Sequence, residues 1–295
     1  MVWMQKAVTP AQSHAYLTAG YDRTAGFVVR AADVAWASTP ADVFEAHDLG
    51  YPRSPFSPRA QWVDVLRMVA DPQLMFEDIY EIGDPRELPS DFSLGGTAPL
   101  WWLRHSRITP GAELVRCFPD GSVALLARYI DVGWGWQVFM PGVRRTGSTS
   151  LSRCVGPVAR WHGGYVDADV VEDGQAVVLA LASPPLSEPG FEPTPAGRWR
   201  RVVYREDVTE LLELDLTARW HGLAVRLVDQ WADPAGEITF RVSSIAPDAA
   251  LAESLGMRKI EASVYEATVQ ATAMTDFHTG QIQTPSWLAR SPHRV

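Results

Sequence analysis

Apolar and polar residues in the first half of the chain fall into short runs bounded by turn-forming residues. That pattern predicts strands with an occasional helix. Residues 26–30 read as a short buried strand. The clearest local signal lies at 38–50. There Thr39 fits a helix N-cap, Pro40 the first helical position and Asp42 the third. Val43, Phe44 and Leu49 give one apolar side, and Gly50 is the expected terminator. Pro52, Pro55 and Pro58 impose an extended loop, after which 61–68 alternates in part, as a strand does. Residues 83–99 are rich in Gly, Pro, Asp and Ser and predict a loop. Turns follow at 109–111 and 119–121, with strands at 122–129 and 134–139. The small, polar stretch 141–155, with Arg144 and Arg145, is expected to link two domains.

The second half repeats itself. Ala159-Arg160-Trp161-His162-Gly163 recurs unchanged as Ala218-Arg219-Trp220-His221-Gly222, and the correspondence continues. Gly190-Phe191 matches Gly256-Met257, Trp199 matches Tyr265, and Val203 matches Val269. The offset is 59 at the first motif and 66 from the glycine onward, so seven extra residues lie in the second copy, around 232–251. Each copy predicts a strand starting at Arg-Trp-His-Gly, a second strand after Gly174 or Gly236, and a third carrying Trp199 or Tyr265. A helical turn is expected at 206–211 or 272–277. Residues 177–182 are too apolar for a half-exposed strand and predict a central one. The expected fold class is α+β: a mixed α/β domain at 11–140, the linker at 141–155, two small antiparallel-sheet repeats with short helices at 156–217 and 218–280, and a tail at 281–295.

Composition narrows the function. At 295 residues and 46% apolar content the chain supports real cores. A net charge of −9 argues against nucleic acid and anionic membranes as partners, and suits a basic protein partner. The first ten residues lack the apolar core of a leader, and no run approaches the ~20 apolar residues of a membrane span. Cys117 and Cys154 have no close spacing, so a cytoplasmic setting is expected. Most of the 12 Trp are expected in cores, with a minority, such as Trp231, as contact anchors. The Ala/Arg/Asp-rich, Lys-poor composition fits a GC-rich, actinobacteria-like bacterial genome.

Candidate chemistry is sparse. A site shared by His162 and His221 needs further ligands, and no HExxH, HxH or CxxC is present. Trp161, His162, Gly163 and Trp220, His221, Gly222 therefore read as structural residues of a repeated turn, with no metal and no cofactor expected. His105, beside Trp101, Trp102, Arg104 and Arg107, reads as a solvated basic edge next to buried Trp. Ser148-Thr149-Ser150 resembles the Ser-Thr-Ser strand of ADP-ribosyltransferases, which implies Arg30 as the first element and Glu188 or Glu192 as the last. The sequence departs from that family: more than 100 residues separate Arg30 from Ser148, and the two glutamates stand four apart in a Pro-rich stretch.

The repeat plan, carried by Trp161, Gly163, Gly190, Phe191, Gly197, Trp199, Val203 and Asp207 and by Trp220, Gly222, Gly256, Met257, Tyr265 and Val269, resembles tandem modules of bacterial polymorphic toxin systems, immunity proteins among them. The resemblance implies a non-catalytic cytoplasmic binding protein that blocks a toxin domain. In that reading Asp167, Asp169, Glu172 and Asp173 meet a basic cleft, and exposed aromatics anchor the contact. An NAD-using enzyme and a homodimerising structural module are the alternatives.

Overall fold

A computed structural model describes residues 2–70, 98, 100–146, 151–152, 154–185, 188–245, 249–283 and 287. The first half contributes β1 (Val2–Val8), β2 (Arg23–Arg30), β3 (Val63–Ala70), β4 (Trp101–Arg107), β5 (Glu113–Cys117), β6 (Val123–Asp131) and β7 (Gly135–Val138). The second contributes β8 (Pro157–Trp161), β9 (Gly164–Val171), β10 (Ala176–Leu181), β11 (Glu192–Pro193), β12 (Trp199–Tyr204) and β13 (Glu210–Trp220). It continues with β14 (Leu223–Ala232), β15 (Ile238–Ser244), β16 (Arg258–Glu261), β17 (Val264–Gln270) and β18 (Met274–Ile282). The α-helices are α1 (Pro10–His14), α2 (Pro40–Ala46) and α3 (Ala249–Ser254).

Half of the chain, 50%, is strand and only 13% helix, and the strand pairs described are antiparallel. The expected α+β class, with its mixed α/β N-terminal domain, is therefore replaced by an antiparallel β fold of two large sheets. α1 and α2 have only five and seven residues. The 31–62 connection that carries α2 is long enough for a crossover, but the strands it joins, β2 and β3, each pair antiparallel with β1 between them. The helix signal at 38–50 is nevertheless a helix, capped as its residues dictate. Thr39 accepts from the Asp42 amide, and the Asp42 carboxylate accepts from the Thr39 amide. It stops at Ala46, short of Gly50, and Asp48 takes the left-handed conformation, φ 48°.

The first sheet has the order β4-β2-β1-β3-β5-β6-β7. Because side chains alternate along each strand, it builds two cores. Ala7, Val29, Val63, Val65 and Val115 pack with Val34, Val43 and Leu49 of the α2 layer. Met4, Val8, Leu66 and Leu114 share a core with Ala159, Ala168, Val177 and Leu179 of the second sheet.

One of the two large sheets is a half-barrel; the second has the order β11-β12-β10-β9-β8-β13-β14-β15-β17-β16, with β18 beside β13. Two groups of strands in it pair alike. β8-β9-β10-β12 is a meander with the short β11 on the outside of β12, and the start of β13 returns beside β8. The end of β13, with β14, β15 and β17, is a second meander; the short β16 lies outside β17, and β18 returns beside β13. The Trp-His-Gly segments are hairpin turns rather than strand starts. His162 and Gly163 take φ 46° and 88°, and His221 and Gly222 take 49° and 86°, the pair of positive values a two-residue hairpin turn requires. The expected helical segments at 206–211 and 272–277 are each a single 3₁₀ turn, Arg205–Asp207 and Ala271–Ala273, leading into a strand. Phe191 and Met257, Val203 and Val269, Val208 and Met274 fill matching core positions.

The two sheets approach closely at Gly26, φ 89°, where an added Cβ would lie 2.6 Å from Glu261 Oε1 and 2.8 Å from Val264 Cγ2. Gly222 has nearly the same φ, 86°, and open space around it. Gly222→Ala is expected to cost about 1 kcal/mol through backbone strain alone. Gly26→Ala adds overpacking of about 1–3 kcal/mol. Urea unfolding of the two variants should rank them in that order; equal losses would show that the sheets do not meet at Gly26.

Candidate functional site

Charged side chains fill much of the seam between the sheets. Arg107 of β4 reaches across to Asp167 (3.2 Å) and Asp169 (3.1 Å) of β9, and also donates to the carbonyls of Pro157 and Ala168. Gly156 makes room for it, since a Cβ there would meet the guanidinium at 2.6 Å. Beside this cluster Arg198 pairs with Asp22 (3.0 Å) and Arg200 with Asp131 (2.9 Å). Toward β14 and β16, Arg23 pairs with Asp229 (3.2 Å), Lys6 with Glu261 (2.7 Å) and Arg104 with Asp215 (3.3 Å). Each pair joins residues from the two halves of the chain.

One guanidinium serving two buried carboxylates leaves part of their charge uncompensated. Burial pushes Asp169 up to about 7 and Asp167 up to about 6, against the pull of Arg107. His105 sits well below its ordinary value, first through burial and then through Arg23, Arg226 and Arg241. Arg104, His105 and Arg107 are all buried, so they do not form the expected basic edge, and it is Trp101 that reaches solvent. The expectation of an exposed acidic surface at Asp167 and Asp169 is likewise overturned: Asp169 is buried and also accepts from the Val132 amide, and Asp167 is 13% exposed. Their alternation with Val166, Ala168 and Val170 marks one polar face of a strand. That face meets the arginines of the first sheet instead of water.

The exposed chemistry of the first copy lies elsewhere. Trp161 and His162 stack at 4.5 Å and 21°. Glu188 accepts from Trp161 Nε1 (2.8 Å) and lies 2.6 Å from His162 Nδ1. These bonds hold its carboxyl below the usual range. Arg201 of β12 lies over the Trp161 ring at 5.1 Å. Tyr165 donates to Glu210 (2.5 Å), which raises the phenol. Glu172, with φ 53°, is exposed, and Glu206 and Asp207 are exposed at the end of β12. The side chain of Asp173 lies outside the described residues. The second copy is plainer: His221 is tilted 56° to Trp220 at 5.5 Å, and the position matching Glu188 is Ser254. The His162–Glu188 pair was missed in the sequence because a Pro-rich loop carries the glutamate 26 residues downstream, with no spacing to mark it. Trp231 lies on β14 and is 37% exposed.

The structure does not gather the ADP-ribosyltransferase-like set. Arg30 is held at 3.6 Å from Asp33 and over the Trp101 ring, on the first sheet. Glu188 is held by the Trp161 turn, and Glu192 is exposed on β11, opposite Arg200. Ser148, Thr149 and Ser150 lie outside the described residues. His162 and His221 cannot share a ligand. Glu210 pairs opposite Arg160 at one end of β13, and Trp220 ends the other. Ten residues of strand hold the two turns ~33 Å apart.

Among the described residues, no cluster of three or more His, Cys, Asp or Glu is arranged to hold a metal, and no helix is long and apolar enough to cross a membrane. A cavity of about 10 Å³ between the sheets, lined by Arg104, His105, Arg226 and Ser244, has room for one water. A cleft of about 120 Å³ beside α2 is lined by Pro10, Pro40, Phe44, Phe56 and Trp62. Comparison with protein-family models, curated proteins and solved structures gives no match.

Removing one partner of a buried pair strands the other charge, at about 3–5 kcal/mol. Arg107→Met is therefore expected to lower the urea midpoint by that order, far more than breaking the exposed Arg160–Glu210 pair, worth at most about 1 kcal/mol. The pH dependence has a definite sign. The folded pKa of Asp169 lies above the ordinary 3.8, so its contribution is complete below that pH and is lost as pH rises through about 7. Wild-type stability relative to Asp169→Asn should fall across this window. A flat difference would mean that Asp169 is ionised throughout.

Proposed function

We propose that the chain is a non-catalytic cytoplasmic binding protein of the immunity type, which covers a basic toxin domain with the exposed face of its first repeat. The carrying observation is a division of labour among its charges. The buried carboxylates Asp22, Asp131, Asp169 and Glu261 are engaged by basic side chains in the seam. The exposed carboxylates Glu172, Glu206 and Asp207 lie at the same end of the sheet as the exposed Tyr204. An exposed aromatic beside three exposed carboxylates suits a basic partner. Trp161, fixed by His162, Glu188 and Arg201, adds a side chain that is already ordered before contact, which lowers the entropy lost on binding.

The test is co-purification with the toxin domains encoded by neighbouring genes, followed by titration. A one-to-one complex is expected, weakening as salt is raised. Glu172→Lys with Glu206→Lys should weaken it by at least about tenfold, a change of about 1.4 kcal/mol. Both positions are exposed, so folding should be unaffected. Consumption of NAD by the purified chain, with no partner found, would replace this reading with the enzymatic one.

A further inference from the structure

β12 is an incompletely covered edge strand. β10 pairs with it along its whole length, Ala176↔Tyr204 to Leu181↔Trp199. On the other side β11 pairs only with Trp199 and Arg200. Arg201 is then occupied from that side, its guanidinium donating to the Pro189 carbonyl and lying 3.5 Å from where a Gly190 Cβ would be. Among the described residues no strand lies beside Val202–Tyr204. Natural edges are usually blunted by charge, proline or a cover. Here the flanking Arg200, Arg201 and Arg205 are drawn away to Asp131 and to the carbonyls of Pro189 and Trp287, and between them the strand presents Val202, 44% exposed, and Tyr204, 71% exposed, on the same face.

The second copy supplies an internal comparison. Its β17 pairs with β15 and is likewise covered by a short strand, β16, only at its start. The inward residues correspond: Val203 with Val269, and Trp199 with Tyr265. The outward ones do not. Where β12 has Val202 and Tyr204, β17 has Thr268 and Gln270, both exposed. Where the first copy continues with Glu206 and Asp207, the second has Thr272 and Ala273. The exposed Val202/Tyr204 pair and the Glu206/Asp207 pair therefore occur together on one edge and are missing from β17 and its 3₁₀ turn, where the nearest acids are Asp233 and Glu237 of the hairpin before β15. The Glu172–Gly174 turn adds to the acid, because Arg205 donates its amide to the Gln175 carbonyl and so brings the two 3₁₀ turns side by side.

We infer that the edge of β12 is a strand-addition site for an extended basic segment of a protein partner. The segment's backbone bonds Val202–Tyr204, its apolar residues pack on Val202 and Tyr204, and its lysines or arginines face Glu172, Glu206 and Asp207. Backbone pairing supplies affinity, and the alternate side chains and charge supply selection. The inference rests on the binding-protein reading and names the class of ligand and the place it docks.

The test uses the full chain and two blocked synthetic octapeptides, one alternating valine with lysine and one alternating valine with glutamate. Calorimetric titration should show one-to-one binding of the lysine peptide and none of the glutamate peptide. Hydrogen exchange at the Val202 and Tyr204 amides, which face away from β10, should slow when the lysine peptide is bound. Val202→Thr with Tyr204→Gln, which installs the residues of the second copy, should weaken binding by at least about tenfold. The reverse graft, Thr268→Val, Gln270→Tyr, Thr272→Glu and Ala273→Asp, should raise the stoichiometry toward two. Equal binding of both peptides, or binding untouched by the Val202/Tyr204 pair, overturns the site. So does a dimer of the chain alone that the same pair dissolves, since the occupant would then be a second molecule. If a cognate toxin domain still binds that variant at full strength, the edge is rejected while the binding-protein reading stands.

Discussion

The structure depends on charge removed from water. Two antiparallel sheets face one another across a seam that includes Arg23, Arg107, Arg198, Lys6 and their carboxylate partners. Ion pairs so placed add little net stability, because desolvation offsets most of their attraction. They do penalise misalignment. Sliding one sheet over the other would stretch the 3.1 Å and 3.2 Å contacts of Arg107 with Asp169 and Asp167 and leave buried charge poorly paired. The apolar cores favour contact between the sheets, and the ion pairs select one arrangement of that contact. This accounts for glycines at Gly26 and Gly156, where the sheets leave no room for a Cβ.

What could be read in the sequence divides along the same line. The α2 cap was legible because Thr39, Pro40 and Asp42 act within one turn. The two matching hairpin turns were legible because Ala-Arg-Trp-His-Gly recurs, and the core positions Phe191/Met257 and Val203/Val269 follow from the offset. The seam was not. Arg23 meets Asp229 from 206 positions away and Arg198 meets Asp22 from 176, and an arginine in sequence does not announce its carboxylate. The alternation at Asp167 and Asp169 gave a polar strand face but not what the face looks at. The short segments after Tyr204 and Gln270 read as helix because they begin with helical turns, yet pairing with β8 and β13 draws the next residues into strands. Of the seven extra residues, four lie before β15, because Val177 and Phe240 stand opposite the matching Val203 and Val269 at an offset of 63, and three lie between β15 and Gly256, where the second copy has α3.

Of the expected acidic set, only Glu172 is exposed among the described side chains. Asp167 and Asp169 lie in the seam, and the exposed acid is Glu172 with Glu206 and Asp207. The Trp161–His162–Glu188 cluster needed the fold to bring the Pro-rich loop back to the turn. Comparing the two copies position by position then separates residues that the repeat needs from those on which one copy alone has placed surface chemistry.

The eleven residues of β13 have a dual membership. Its first part closes one meander and its last part opens the next, with β8 beside one end and β18 running along the rest. The two units therefore share a spine, and no peptide bond between them can be cut to release one intact. A nick in β13 would cost both units a strand. Length is what permits this sharing: the first four residues of β13 pair with β8 and the last four with β14, so a single strand long enough for both pairings fastens the units together.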